Sequence, residues 1–259
     1  MSVWQRRPTS PPARATRVIA HRGASHEHAE HTIEAYRQAI ADGADALECD
    51  VRLTADHRLV CVHDRRVERT SDGRGVVSEM TYEELRALDF GAWKGSGHAG
   101  ARVLLFEDLV KEALAAPYPV GLAVETKHPT RAGGRLEAEL VRLLGEYGLA
   151  DGSTGRVEVM SFSRTALTRM HRLAPGLPAV YLIEHRVRPV RPPYATHAGP
   201  GIELVRRDPG LVARLKAKGL RVRVWTVDEP EDVELCIRLG VDTLITNRPR
   251  DVRKLLLDM

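Results

Sequence analysis

Polar residues recur in this 259-residue chain just where short apolar runs end: His21-Arg22-Gly23, Glu48-Cys49-Asp50, His63-Asp64 and Glu125-Thr126-Lys127. In an extended strand residues i and i+2 share a face, so Glu48 and Asp50 converge with Cys49 turned away, and Glu125 and Lys127 converge likewise. Alone, each charge at such a position is costly to desolvate. Together they make chemical sense: three carboxylates offer hard oxygen ligands for one divalent cation, and Arg22 and Lys127 can hold an anion. This pattern describes a metal-assisted hydrolase or lyase acting on an anionic substrate. The stretch IAHRGASHEHAEHT (19–32) holds four of the eleven histidines. It contains neither HExxH nor HxxEH, so a zinc site there is not expected, and His26 and His28 read as bystanders.

The elements that must position these groups are short β-branched runs alternating with helices. Strands are expected at Arg17–Ala20, Ala46–Val51, Leu59–Val62, Gly121–Glu125, Val157–Ser161, Ala179–Ile183, Ile202–Val205, Val222–Thr226 and Thr243–Thr246. Several are continuous apolar runs, as in parallel strands covered on both faces. Thr81-Tyr82-Glu83-Glu84 is a capping box, Asp208-Pro209 opens a helix that Gly219 ends, and Asp228 with Pro230 opens one that Gly240 ends. Alternation of this length favours an eight-fold α/β barrel over an open sheet without deciding between them. Nine strands are one too many for eight staves, and the link from Leu53 to Arg58 is too short for a crossover helix, so a local hairpin or an irregular strand is expected. An insert with turn-rich SDGRG and GAWKGSGHAG segments follows the third strand, and residues 186–201 read as a basic, solvated loop. Residues 1–16, Pro-rich and without an apolar signal core, read as a flexible lead-in, and 17–259 as a single barrel domain.

The ordered set His21-Arg22-Gly23-Ala24, Gly43 to Val51 (GADALECDV), Leu53-Thr54-Ala55-Asp56, His63-Asp64, Glu125-Thr126-Lys127, Ser161-Phe162, Val224 to Val227 (VWTV) and Ile245 to Pro249 (ITNRP) resembles the glycerophosphodiester phosphodiesterases. The resemblance runs from about Arg17 to Pro249. It implies a (β/α)8 TIM-type barrel, a divalent cation (Mg²⁺ or Ca²⁺, given oxygen-only ligation) and hydrolysis of glycerophosphodiesters to sn-glycerol 3-phosphate and an alcohol. It assigns catalysis to His21 and His63, the metal to Glu48, Asp50 and Glu125, phosphate contacts to Arg22 and Lys127, and the pocket aromatic to Trp225. Histidine suits both removal of a proton from a nucleophile and protonation of a leaving alkoxide near neutral pH. Two departures stand out: the family's Pro-Glu-Asn-Thr reads Ala29-Glu30-His31-Thr32, with Thr32 kept as a helix N-cap, and its late Ile-Thr-Asp ends in Asn247.

Composition sets the remaining bounds. A net charge of +4 without long like-charge blocks gives nucleic-acid binding little support. No run of about 18 apolar residues suggests a membrane span, and three cysteines without CxxC spacing suggest free thiols in a cytoplasmic protein. A small-molecule glycerophosphodiester is the expected partner, and the oligomeric state is left open. The alternatives are a phospholipase D-like enzyme acting on lysophospholipids, and a non-catalytic phosphate-ester-binding protein.

Overall fold

The computed structural model describes residues 16–130, 132–184 and 194–259. Nearly all of the expected lead-in, and Arg186, Arg188 and Arg191 of the basic loop, therefore lie outside the described residues. Eight parallel strands close into a ring: β1 (Arg17–His21), β2 (Ala46–Leu53), β4 (Gly121–Thr126), β5 (Val157–Ser161), β6 (Ala179–Ile183), β7 (His197–Pro200), β8 (Arg221–Val224) and β9 (Thr243–Thr246), which returns to pair with β1. Ile19 registers against Ala46 on one side and Ile245 on the other, which closes the barrel. The surplus strand, β3 (Leu59–Cys61), pairs antiparallel with β2 through Val51–Cys61 and Leu53–Leu59. It is a hairpin arm outside the ring, one of the two outcomes that the short Leu53–Arg58 link allows.

The helices lie outside the barrel: α1 (Ile33–Ala41), α2 (Tyr82–Arg86), α3 (Phe106–Ala115), α4 (Arg135–Glu146), α5 (Arg164–Leu173), α6 (Ile202–Arg207), α7 (Gly210–Ala217), α8 (Pro230–Arg238) and α9 (Pro249–Asp258). Thr32 caps α1 by accepting from Ala35 N, and the Thr81–Glu84 capping box forms at α2. Outward-facing strand residues such as Leu47, Cys49 and Val124 pack with Phe106, Leu109 and Leu140 of the helices. The insert carries its own small core of Val67, Val77, Leu85, Phe90 and Val103 against β3. Among the described residues no helix is long and apolar enough to cross a membrane.

One strand differs from expectation. Ile202–Val205 is helix, the start of α6, and the seventh stave is His-Ala-Gly-Pro at 197–200, inside the segment expected to be loop. Glycine and proline hide this strand from propensity. Packing explains the glycine: a Cβ at Gly199 would lie 2.7 Å from Leu182 Cδ2. The apolar Ile202 and Val205 are buried at helical spacing instead.

The barrel interior is layered. Ile19, Ala46, Ala123, Met160, Val180, Leu182 and Ile245 fill its middle. Glu158, two residues before Met160, and Arg223, two before Trp225, share the inward face nearer the N-terminal mouth, where Arg223 Nε donates to Glu158 Oε1 at 2.6 Å. His197 lies by this buried ion pair, 6% exposed; its Nδ1 is 2.7 Å from Thr196 Oγ1, while its buried Nε2 has no partner among the described residues. The C-terminal mouth holds the polar strand ends.

Candidate active site

At that mouth a cavity of about 230 Å³ is lined by His21, Arg22, Glu48, His63, Glu125, Lys127 and Trp225, together with Met160, Phe162, Leu182, Glu184 and Ile245. Seven of the eight residues singled out in the sequence therefore line one space. Asp50, the eighth, lies behind it, 1% exposed. Barrel closure does this: β1, β2 and β4 are neighbours, with His21 registered against Glu48 and Asp50 against Glu125. His63 reaches the same rim from the hairpin arm and not from a stave.

The chain turns sharply after β1. Arg22 has φ +58° and Gly23 φ +85°, a region that costs a side-chain-bearing residue energy and persists where its surroundings hold it. Arg22 N donates to Glu48 Oε2 at 2.9 Å, and its guanidinium lies 3.0 Å from Glu30 Oε1 and 3.1 Å from Asp50 Oδ2. Gly23 has no alternative, because a Cβ there would meet the Ala35 carbonyl carbon at 2.6 Å.

Ligand oxygens of Glu48, Asp50 and Glu125 lie within 4.8 Å of one another, and all three residues are buried. Burial, followed by the neighbouring Asp50 charge, raises the Glu48 and Glu125 carboxyls above the ordinary range. Asp50 is held well below it: Lys127, the His31 hydrogen bond and Arg22 outweigh the large opposing cost of burial. Lys127 Nζ lies 2.9 Å from Asp50 Oδ1 and 2.8 Å from Glu125 Oε1. The contact to Asp50 is off the hydrogen-bonding direction, so Oδ1 remains a buried acceptor without an aligned donor. Three close carboxylates with such an oxygen fit a hard divalent cation, which relieves both the repulsion and the missing bond.

The two histidines are held alike. His21 Nδ1 lies 2.7 Å from Asn247 Oδ1, while Asn247 Nδ2 donates to Asp228 Oδ2 at 2.6 Å. With its amide nitrogen committed, Asn247 can only accept from His21, so Nδ1 carries the hydrogen and Nε2 keeps its lone pair. His63 Nδ1 is tied to Asp64 Oδ1 at 2.7 Å, and Asp64 is held by Arg69. Neither Nε2 has a partner among the described residues. Burial, reinforced by Arg22, lowers His21 to about 3; burial likewise lowers His63 to about 4, against the opposing Asp50 charge. Both shifts favour the neutral imidazole.

The departures from the family pattern are accommodated. His31 is buried, with Nε2 2.9 Å from Asp50 Oδ2 and Nδ1 2.8 Å from Tyr36 Oη. Asn247 serves both neighbours, its amide nitrogen donating to Asp228 Oδ2 and its oxygen facing His21 Nδ1. Asp228 itself does not cap α8, whose N-cap is Glu229; it accepts from Thr246 Oγ1 and Asn247 N. Sequence reasoning also left Glu30 and Arg69 without roles, yet they brace Arg22 and Asp64. Phe162 stands edge-on to Trp225, ring centroids 5.5 Å apart, and Trp225 Nε1 donates to Gly199 O. The motif Ser161-Phe162 was the only signal for that second aromatic.

Comparison with known proteins agrees with this geometry. The model of the glycerophosphoryl diester phosphodiesterase family matches residues 21–251. A Mycobacterium tuberculosis protein named "Probable glycerophosphodiester phosphodiesterase 1" is 44% identical over 247 residues, covering 90% of this chain and 89% of its own. The glycerophosphodiester phosphodiesterase of Caldanaerobacter subterraneus is 33% identical over 245 residues, covering 93% and 98%. Among solved structures, a glycerophosphodiester phosphodiesterase from Parabacteroides distasonis superposes with a TM-score of 0.80 at 28% identity, over 94% of this chain and 98% of that one. An Oleispira antarctica phosphodiesterase in complex with the product sn-glycerol-3-phosphate shares the fold, with a TM-score of 0.83 at 24% identity, over 95% and 98%. The chain belongs to the glycerophosphoryl diester phosphodiesterase family, and its activity is that of a glycerophosphodiester phosphodiesterase.

Proposed function

We propose that the protein hydrolyses glycerophosphodiesters to sn-glycerol 3-phosphate and an alcohol, with His21 and His63 as the acid–base pair. The observation that carries this reading is that both imidazoles are anchored through Nδ1 and present an uncommitted Nε2 at one cavity above a carboxylate triad. A phosphodiester anion resists a nucleophile until its charge is offset. Arg22 and Lys127, each fixed by two carboxylates, supply positive charge at the cavity wall. Glu48, Asp50 and Glu125 would hold Mg²⁺ or Ca²⁺, which when bound supplies further offset of the phosphate charge. Trp225 and Phe162 give an apolar wall for the carbon face of glycerol.

The attacking oxygen is the glycerol 2-hydroxyl or water, in line with the leaving alcohol. One imidazole accepts its proton, and the P–O bond to the alcohol breaks as a proton is delivered to the leaving oxygen. The imidazole that donates enters protonated on Nε2, its proton taken from solvent water; its partner enters with Nε2 unprotonated, and the proton it gains from the attacking oxygen returns to water as the pair resets. If the hydroxyl attacks, a cyclic phosphate forms and water opens it by the same pair. The Oleispira antarctica neighbour, in complex with sn-glycerol-3-phosphate, supports the product. A cytoplasmic setting goes with this reading, since the three cysteines are free and buried.

A coupled assay for glycerol 3-phosphate on glycerophosphocholine, with chelator and then with Mg²⁺ or Ca²⁺ restored, tests it. Release that stops on chelation and returns with the cation is expected. Release unaffected by chelation would remove the cation from the account.

A further inference from the structure

A second cavity, of about 280 Å³, opens beside the first and shares Lys127 with it; its walls include Arg52, Arg65, Ser78 and Thr130. Arg52 follows Glu48 and Asp50 at the next i+2 position of β2, so it rises on the same face just above the triad. Its Nε and Nη2 both donate to the main-chain oxygen of His63, at 3.1 and 2.7 Å, which fixes the guanidinium against the catalytic pair. Arg65, two residues beyond His63, is exposed and also lines the cavity.

These two arginines differ from their neighbours. Arg22 is paired with Glu30 and Asp50, Arg66 with Glu68, and Arg69 with Glu30 and Asp64. Among the described residues neither Arg52 nor Arg65 has a carboxylate partner, and the described lining contains no acidic residue. Asp50, Asp64 and Glu125 act on Arg52 only from beyond ion-pair distance, so a half-buried guanidinium beside a second cation, with hydroxyls from Ser78 and Thr130, has room for an anion in direct contact.

We propose that this cavity is a subsite for a second phosphate group carried by the leaving alcohol, so that the preferred substrates are glycerophosphodiesters whose alcohol is itself a phosphate ester. This rests on the phosphodiesterase reading above and extends it from the reaction to the substrate class. With glycerol against Trp225 and Phe162 and the scissile phosphate over Arg22 and Lys127, the alcohol leaves past His63. Arg52, bonded to that residue's main-chain oxygen, and Arg65 meet its second charge. The bond chemistry is unchanged: water adds across the P–O bond, and the alcohol departs with a proton and with its own phosphate intact.

The test compares kcat/KM for bis(glycerophospho)glycerol, whose leaving alcohol carries a second phosphodiester, with that for glycerophosphocholine, whose leaving alcohol is cationic. Wild type is expected to favour the dianionic substrate at least tenfold per scissile bond at low salt, with the ratio shrinking as ionic strength rises. Arg65→Glu is expected to collapse or invert the ratio, and Arg65→Lys to retain most of it. Because Arg65 is exposed, a folded variant is expected, and far-ultraviolet circular dichroism checks it. Equal kcat/KM for the two substrates in wild type, or a ratio unmoved by Arg65→Glu, would overturn the subsite while leaving the phosphodiesterase reading intact. Absence of glycerol 3-phosphate from both substrates would instead count against that reading.

Discussion

Lowering the pH from 7 to 5 should unstitch the barrel floor before it protonates any carboxylate there. His197 is the reason. Burial, followed by the Arg223 charge, lowers its pKa from 6.5 to about 4. Among the described residues there is no acceptor for a second proton, since Nδ1 faces Thr196 Oγ1 and Nε2 is buried without a partner. A histidine with a depressed folded pKa binds more protons unfolded than folded between the two values, so stability is full above 6.5 and falls as pH drops towards 4. At pH 5 an unfolded histidine is almost wholly protonated and His197 is about one-tenth protonated, which destabilises the fold by about 2 kcal/mol relative to pH 7. Glu158 shifts the other way: despite burial, Arg223 holds its carboxyl below the ordinary glutamate value of 4.5, so its contribution disappears only below that pH. Urea unfolding of wild type and His197→Asn at both pH values isolates the effect, because His21 and His63 are common to the two proteins. The wild type should lose about 2 kcal/mol more than the variant between pH 7 and 5. Equal losses would show that His197 is protonated inside the fold and that the floor is not closed to a second charge.

Other perturbations follow from the site. Gly23→Ala forces a Cβ into the Ala35 backbone at φ +85°; it should cost more than about 2 kcal/mol in urea unfolding and displace Arg22, lowering kcat/KM further than stability alone explains. Asn247→Asp places a carboxylate on His21 Nδ1 and favours the imidazolium, so the acidic limb of the pH–rate profile should move to higher pH from a wild-type His21 lowered to about 3; an unmoved limb would separate His21 from that limb. Trp225→Ala should raise KM for glycerophosphodiesters with a smaller change in kcat, since the proposed role of the ring is to pack on substrate without exchanging protons; a loss confined to kcat would contradict that role.

The chemistry of this chain was legible where it depends on strand-end spacing. Period-two alternation places Glu48 with Asp50 and Glu125 with Lys127 on the inward face whatever the surrounding fold, and barrel closure then joins β1, β2 and β4. The hairpin arm was legible only as one of two outcomes, because a link as short as Leu53–Arg58 excludes a crossover helix but leaves an irregular strand open. What was not legible is what long-range packing decides. His-Ala-Gly-Pro becomes a stave by pairing between β6 and β8, and no local preference announces it. Asp228 looks like a helix cap in sequence, yet the nearness of β9 turns it to Asn247. Glu30 and Arg69 come together from loop and insert across 39 positions, a distance over which spacing carries no information.

The central claim is that His21 and His63 are the acid–base pair, and the turnover of His21→Ala, His63→Ala and the double variant tests it most directly. Each single change should lower kcat for glycerol 3-phosphate release by about a hundredfold or more, and the double variant little further than the worse single, because the pair acts as a unit. Binding of glycerol 3-phosphate as an inhibitor should survive in all three. Full activity in either single variant would contradict the account.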